Sequence, residues 1–179
     1  MALFGKTVEA VTEKFAYLLV DQAKKNINKK APYAKKGKIN TTGKLKNSIK
    51  YKMEPEGVSI FMEDYGILRD AGQLGRKKKI LKGWNKSIFV PRGQGFTSKQ
   101  PPIAPIKKWI QRKGLKYDPK TPQGLSQTAF LISRKIFNEG IQPGLFMSTP
   151  FNKLYPKYLD DLDKALGDDV DVLIEENID

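Results

Sequence analysis

Three acids, Glu63, Asp64 and Asp70, fall within one short stretch beside a Tyr-Gly pair. Carboxylates grouped in this way could hold a divalent cation and, with a Lys close by, cut a phosphodiester, the chemistry of a Mg-dependent nuclease. Acids at a strand end beside a glycine turn are, however, ordinarily solvated groups with no chemical role. The rest of the catalytic repertoire is missing. The chain contains no His and no Cys, which removes the usual general base at neutral pH, the commonest metal ligand, thiolate metal sites and every Ser-His or Cys-His nucleophile pair. The glycine-rich run Gly72-Gln73-Leu74-Gly75-Arg76-Lys77-Lys78-Lys79 lacks the Gly-Lys-Ser/Thr ending that cradles a nucleotide phosphate and holds its Mg. The expectation is a protein that is not an enzyme and takes no cofactor or metal.

The residues that stand out as candidate contacts are basic. Arg76, Lys77, Lys78 and Lys79 precede Trp84 by a few positions, a set that could track a nucleic-acid backbone and stack a base, or meet an acidic protein surface. Charge is unevenly spread along the chain. From Asp160 onward there are nine acids and one Lys, a net of −8, whereas residues 1–159 carry 32 bases and ten acids, a net of +22. A basic body invites polyanions, because each phosphate neutralised releases counterions. The acidic end competes for the same basic surface.

These residues must be positioned by a core, and 179 residues are enough to bury one in a single domain. No apolar run reaches bilayer length, and the start of the chain, MALFGKTVEAVTEKF, has acids inside it and no signal-type hydrophobic segment, so the expectation is a soluble protein kept inside the producing cell, with no membrane partner. The alternation of Tyr51 and Met53, then Val58, Ile60 and Met62, on either side of Glu54-Pro55-Glu56-Gly57 predicts a β-hairpin, with Leu45, Ser48 and Ile49 leading into it and Tyr65, Gly66, Ala71 and Gly72 bending the chain after it. Val8, Val11, Phe15, Leu18, Leu19, Ala23 and Ile27 recur at helical steps and predict a long amphipathic helix over Lys6 to Lys30, ended by Pro32. The region 76–101 reads as a long basic loop with one short strand, Ser87 to Val90, and loops of that length in compact domains serve contact or motion. Trp84 and Phe96 within it are candidate interface anchors. Helices follow from Pro105 to Gly114 and from Leu125 to Glu139, the second apolar on more than one side and therefore expected to be buried on two. After a segment from Gly140 to Phe151 that its Pro and Gly content makes extended, a last helix is expected from Asn152 to Leu166, with Val170, Leu173 and Ile174 adding a turn or two. The organisation expected is one α+β domain over 1–166, its long N-terminal helix and C-terminal helices packed on a small antiparallel sheet, and an acidic tail over 167–179.

Several short motifs share an order with one known group. Thr42-Gly43-Lys44-Leu45 with Ser48-Ile49 resembles the TG-x-L-x-x-S-I entry to the sheet in the neck and tail-completion proteins of tailed bacteriophages, a group that includes head-tail connector and minor tail proteins. Asp64-Tyr65-Gly66, with Asp70 and Gly72, is similar to that group's Tyr-centred strand end. Trp109 to Leu115, Ala129 to Phe137, and Gly140-Ile141 with Pro143 and Phe146 resemble its run of short helix, Gly, long helix, Gly-Ile-x-Pro and Phe. The basic stretch from Arg76 to Gln100 is longer than that pattern.

The resemblance implies an α+β structural protein of the virion, assembled in the host cytoplasm as a homo-oligomeric ring at the head-tail joint. Its partners would be adjacent neck, portal-side or tail proteins, with non-specific contact to the genomic DNA that passes through. No catalytic residues come with the group. The alternative reading is a nucleic-acid-binding protein that uses the basic loop 76–86.

Overall fold

The computed structural model of the protein describes residues 6–29, 42–77, 83–89, 95–96, 98–118 and 123–178. They form an α+β fold in which two long helices, α1 (Lys6–Asn26) and α6 (Ser148–Ile178), pack along one another and α1 packs against a β-hairpin. The hairpin pairs β1 (Lys50–Glu54) with β2 (Gly57–Phe61), in the antiparallel register Lys50 to Phe61 through Glu54 to Gly57. Along β1 the side chains alternate as the sequence pattern requires, Tyr51 and Met53 half-buried and Lys50, Lys52 and Glu54 exposed, whereas along β2 Val58, Ser59 and Ile60 are all half-buried. Two strands are marginal on their own in water, and α1 covers this pair.

The main core lies where these elements meet. Leu19, Ala23 and Ile27 of α1, Leu45, Ile49, and Phe146 with Met147 just before α6 are buried together. Each large apolar side chain so placed contributes about 1.5–3 kcal/mol relative to exposure. Phe15 extends the seam between the long helices, stacking on Tyr158 at a centroid distance of 4.4 Å, and Phe151 stacks on Tyr155 at 4.9 Å.

A second, smaller core joins α4 (Ile103–Lys113) to α5 (Gly124–Glu139) through Ile106, Ile110 and Ala129. Gly114 ends α4 in the left-handed region at φ 58°, the conformation a helix stop commonly needs. A short ladder ties this unit to the rest of the chain: β3 (Gln73–Leu74) pairs with β4 (Gly140–Ile141), and Leu74 also bridges to Gly95. The backbones cross so closely there that a Cβ on Gly140 would collide with the Gln73 carbonyl and one on Gly75 with the Asn138 carbonyl.

Several local expectations are corrected. Lys44–Ser48 is a short helix, α2, because Ser48 turns back to donate to the Leu45 carbonyl at 2.9 Å, and the strand begins only at Lys50. Tyr65–Ala71 is a helix, α3, rather than a bent strand end. Gly66 inside it is a packing residue, since a Cβ there would lie 2.6 Å from Met62 Sδ and 2.9 Å from Leu45 Cδ1. Ser87 to Phe89 is not a strand: its polar groups are drawn to side chains, and a 3₁₀ turn, Trp84–Lys86, precedes it. Val90 lies outside the described residues.

The last helix is 31 residues long and runs straight through the boundary expected at Leu166. Gly167 has open space around it and no left-handed φ, so it does not stop the helix. Pro156 removes one rung of the backbone ladder inside α6, a local cost, within the stretch where Phe151, Tyr155 and Tyr158 meet Phe15 of α1. The acidic segment is therefore helical as far as Ile178.

Candidate interaction surface

The three acids do not form a cluster. Asp70, at the end of α3, is completely buried. One carboxyl oxygen accepts the backbone N–H groups of Met147 at 2.7 Å and Ser148 at 3.1 Å. The other lies 3.1 Å from Ser87 Oγ and accepts the hydroxyl of Ser148. Ser148 Oγ in turn accepts the N–H of Ile88 at 2.9 Å. The first turn of a helix leaves N–H groups without intrahelical partners and carries positive partial charge, so a buried carboxyl here is occupied in holding α6. Glu63 points elsewhere and pairs with Lys44 at 3.0 Å, a hydrogen bond and attraction that raise the Lys44 pKa. Asp64 is exposed at the start of α3. Among the described residues no group of three or more His, Cys, Asp or Glu side chains is placed to hold a metal ion.

A second acid plays the same structural part at the opposite end of the helix pair. Asp169 of α6 accepts the backbone N–H groups of Thr7 at 3.2 Å and Val8 at 3.0 Å. Burial pushes its carboxyl up, but the hydrogen bonds from Val8 and Thr7 outweigh it and leave the pKa below the ordinary value. Each long helix thus has its N-terminus closed by a carboxyl from a distant part of the chain.

The basic contact set is only partly brought together. Arg76 and Lys77 are exposed on the turn after β3, with their backbone N–H groups donating to Phe137 at 2.7 Å and Asn138 at 3.4 Å. The Arg76 guanidinium lies over the Phe137 ring, 5.8 Å from its centroid, within cation–π range. Neither residue forms an ion pair among those described. Lys78 and Lys79 lie outside the described residues; the Trp84 backbone opens the 3₁₀ turn. Phe96 folds back onto the protein, its ring 6.2 Å from that of Phe137 and its N–H donating to the Leu74 carbonyl.

The surfaces suited to contact are apolar. A groove of about 440 Å³ opens between β2, α3 and the 87–89 segment, lined by Val58, Ile60, Met62, Ile67 and Phe89, with Glu63 and Asp64 at its edge. Phe61, Ile67 and Ile88 beside it are all exposed. On α5, Phe130 is 43% and Leu131 63% exposed, which corrects the expectation that this helix is buried on two sides. One side packs on α4, while the other is uncovered within the chain. On α6, Leu159, Leu166, Val170 and Ile174 are likewise exposed. The signal for both faces was present in the sequence as apolar residues on more than one helical stripe. An interface is one physical reason for such a pattern.

Comparison of the chain with protein-family models, with curated proteins and with solved structures returns no match. No helix among the described residues is long and apolar enough to cross a membrane.

Proposed function

We propose that this protein is a structural component of a tailed-bacteriophage virion, forming a homo-oligomeric ring at the head-tail joint through which DNA passes. It acts by shape and by mating of unlike surfaces with its own copies and with adjacent neck, portal-side or tail proteins. The observation that carries this reading is the amount of apolar surface left on regular, well-packed elements: the β2–α3 groove and the outer faces of α5 and α6. Scattered exposed apolar residues are normal, but the run of them along α6, with the Phe130-Leu131 patch on α5, favours association. The buried acid that could have served chemistry is committed to the start of α6. The colinear motifs that resemble the neck and tail-completion group supply the virion context.

Native mass spectrometry and negative-stain imaging of the purified protein test the proposal. The expected result is a closed ring of fixed copy number at micromolar concentration. Removal of residues 168–179, which carries away the Asp169 cap and the end of the α6 stripe, is expected to abolish it. A protein that stays monomeric at every concentration examined would overturn the reading.

The exposure of Arg76 and Lys77 on one turn, without acidic partners among the described residues, favours a second reading, direct nucleic-acid contact through 76–86. Duplex DNA affinity in the micromolar range that falls steeply with salt would support it. Weak, salt-insensitive binding would remove it.

A further inference from the structure

We infer that the outer face of α5 in one copy is the seat for the outer face of α6 in a neighbouring copy, an inference that rests on the ring reading above and gives it a specific contact. On α5, Phe130 and Leu131 are bordered by Arg134 and Lys135, all four exposed. Phe130 with Arg134 and Leu131 with Lys135 are each four residues apart, which makes two adjoining rows on one side of the helix. On α6, Leu159, Leu166, Val170 and Ile174 follow one another at seven, four and four residues, again a single stripe. Asp163 and Asp171 border it and are exposed.

The two faces differ in charge and match in their apolar chemistry. Outer α5 carries Arg134 and Lys135, the latter 3.9 Å from Glu139, and α4 beside it adds four Lys and Arg and no acid, whereas from Asp160 onward there are nine acids against one Lys. The α6 stripe, from Leu159 to Ile174, extends about 22 Å, and Phe130 and Leu131 on α5 cover about one turn of it. Within one chain α5 packs on α4 and β4 while α6 packs on α1, so each stripe belongs to a separate helical pair and is left over when both pairs are complete. Aliphatic stripes flanked by opposite charges give two helices both burial and register. Because the two surfaces are different, the contact is heterologous: every copy offers one α5 face and one α6 face, and repetition of the contact makes a ring if its rotation closes.

Two single variants at exposed positions test this on the full-length protein. Leu131→Glu spoils only the α5 face and Val170→Lys only the α6 face, and circular dichroism with thermal melting checks that each remains folded. Each alone is expected to weaken self-association at least about 30-fold, the effect of losing one strong interface residue. Mixed in equal amounts they are expected to form a heterodimer and nothing larger, since one intact contact survives between them. As a second line, reversal of Arg134 and Lys135 to Glu is expected to break assembly, and a partner carrying Asp163→Lys and Asp171→Lys to restore it. Rings of wild-type stability from both single variants would overturn the α5–α6 contact and leave the ring reading standing. A wild-type protein that never associates would overturn both.

Discussion

Asp70 and Ser148, 78 residues apart in the chain, are joined twice: one oxygen of the Asp70 carboxyl accepts the Ser148 backbone N–H at 3.1 Å and the other accepts its hydroxyl. The same carboxyl takes the Met147 N–H at 2.7 Å. Around it Gly144 and Leu145 donate to the Asp70 carbonyl, at 3.0 and 3.1 Å, which leads the chain into α6 through Leu145 at φ 49°. A left-handed non-glycine residue costs about 1–2 kcal/mol, and here Leu145 is also buried. The site fixes where the long helix starts and ties the 87–89 segment to it through Ser87 and Ile88.

Replacing Asp70 by Ala is therefore expected to be among the most damaging single changes in the protein. It strands two backbone N–H groups and leaves the buried Ser87 and Ser148 hydroxyls without their shared acceptor. The expected loss is about 3–5 kcal/mol, with about 1–2 kcal/mol for Asp70→Asn, which keeps one acceptor oxygen for the backbone pair. Urea unfolding midpoints of the two variants against wild type check the order.

This cap also explains what the sequence could and could not reveal. The hairpin is readable because alternation from Tyr51 to Met62 and the Pro55-Glu56 turn are local signals, and α4 and α5 because Gly114 and Gly140 close periodic runs. The start of α6 is displaced from the expected Asn152 to Ser148 because its cap arrives from α3, although Ser148-Thr149-Pro150 carries a local start signal of its own. Helix α3 is hidden by Gly66, which reads as a bend but lies in the helix packed closely against Met62 and Leu45. The continuation of α6 past Gly167 depends on its pairing with α1, a tertiary fact, and Asp169 becomes a cap only once the two helices lie antiparallel. Of the basic contact set, Arg76 and Lys77 are placed on an exposed turn, and their position follows from the β3–β4 ladder rather than from the charge run itself.

The Asp169 cap predicts a pH dependence of definite sign. Its carboxyl has a lower pKa in the folded protein than its ordinary value of 3.8. A depressed carboxyl pKa adds stability that is fully present above the unfolded value and is lost as pH falls through the folded one. The stability difference between wild type and Asp169→Asn is expected to be constant at neutral pH and to shrink below about pH 4. Thermal melts of both proteins at a series of pH values measure it; a gap that widens on acidification would contradict the assignment.

The crossing of β3 and β4 predicts an intolerance of small changes. A Cβ on Gly75 would strike the Asn138 carbonyl and approach the Gly140 nitrogen at 2.5 Å, backbone atoms that cannot rotate away. Gly75→Ala is expected to cost about 2 kcal/mol or more through forced backbone movement. Gly167→Ala, in open space on α6, is expected to stabilise by up to about 1 kcal/mol. Chemical denaturation of the pair gives the comparison directly.

The aromatic seam between α1 and α6 is a cooperative feature as well as a packed one. Phe15 stacks on Tyr158 at 4.4 Å and meets Phe151 edge-on at 6.1 Å. The Tyr158 hydroxyl also lies 3.3 Å from Thr12 Oγ1, which donates to the Val8 carbonyl at 2.8 Å. Stacked pairs carry about 0.5–1.5 kcal/mol beyond the area they bury. A double-mutant cycle of Phe15→Leu and Tyr158→Leu is expected to return a coupling in that range, because the rings touch each other and not merely a common core. Phe15→Leu combined with Ile110→Ala, which lies in the separate α4–α5 core, is expected to be additive within about 0.5 kcal/mol. Coupling of equal size in both cycles would mean that the two cores unfold as one strained unit, contrary to their separation in the fold.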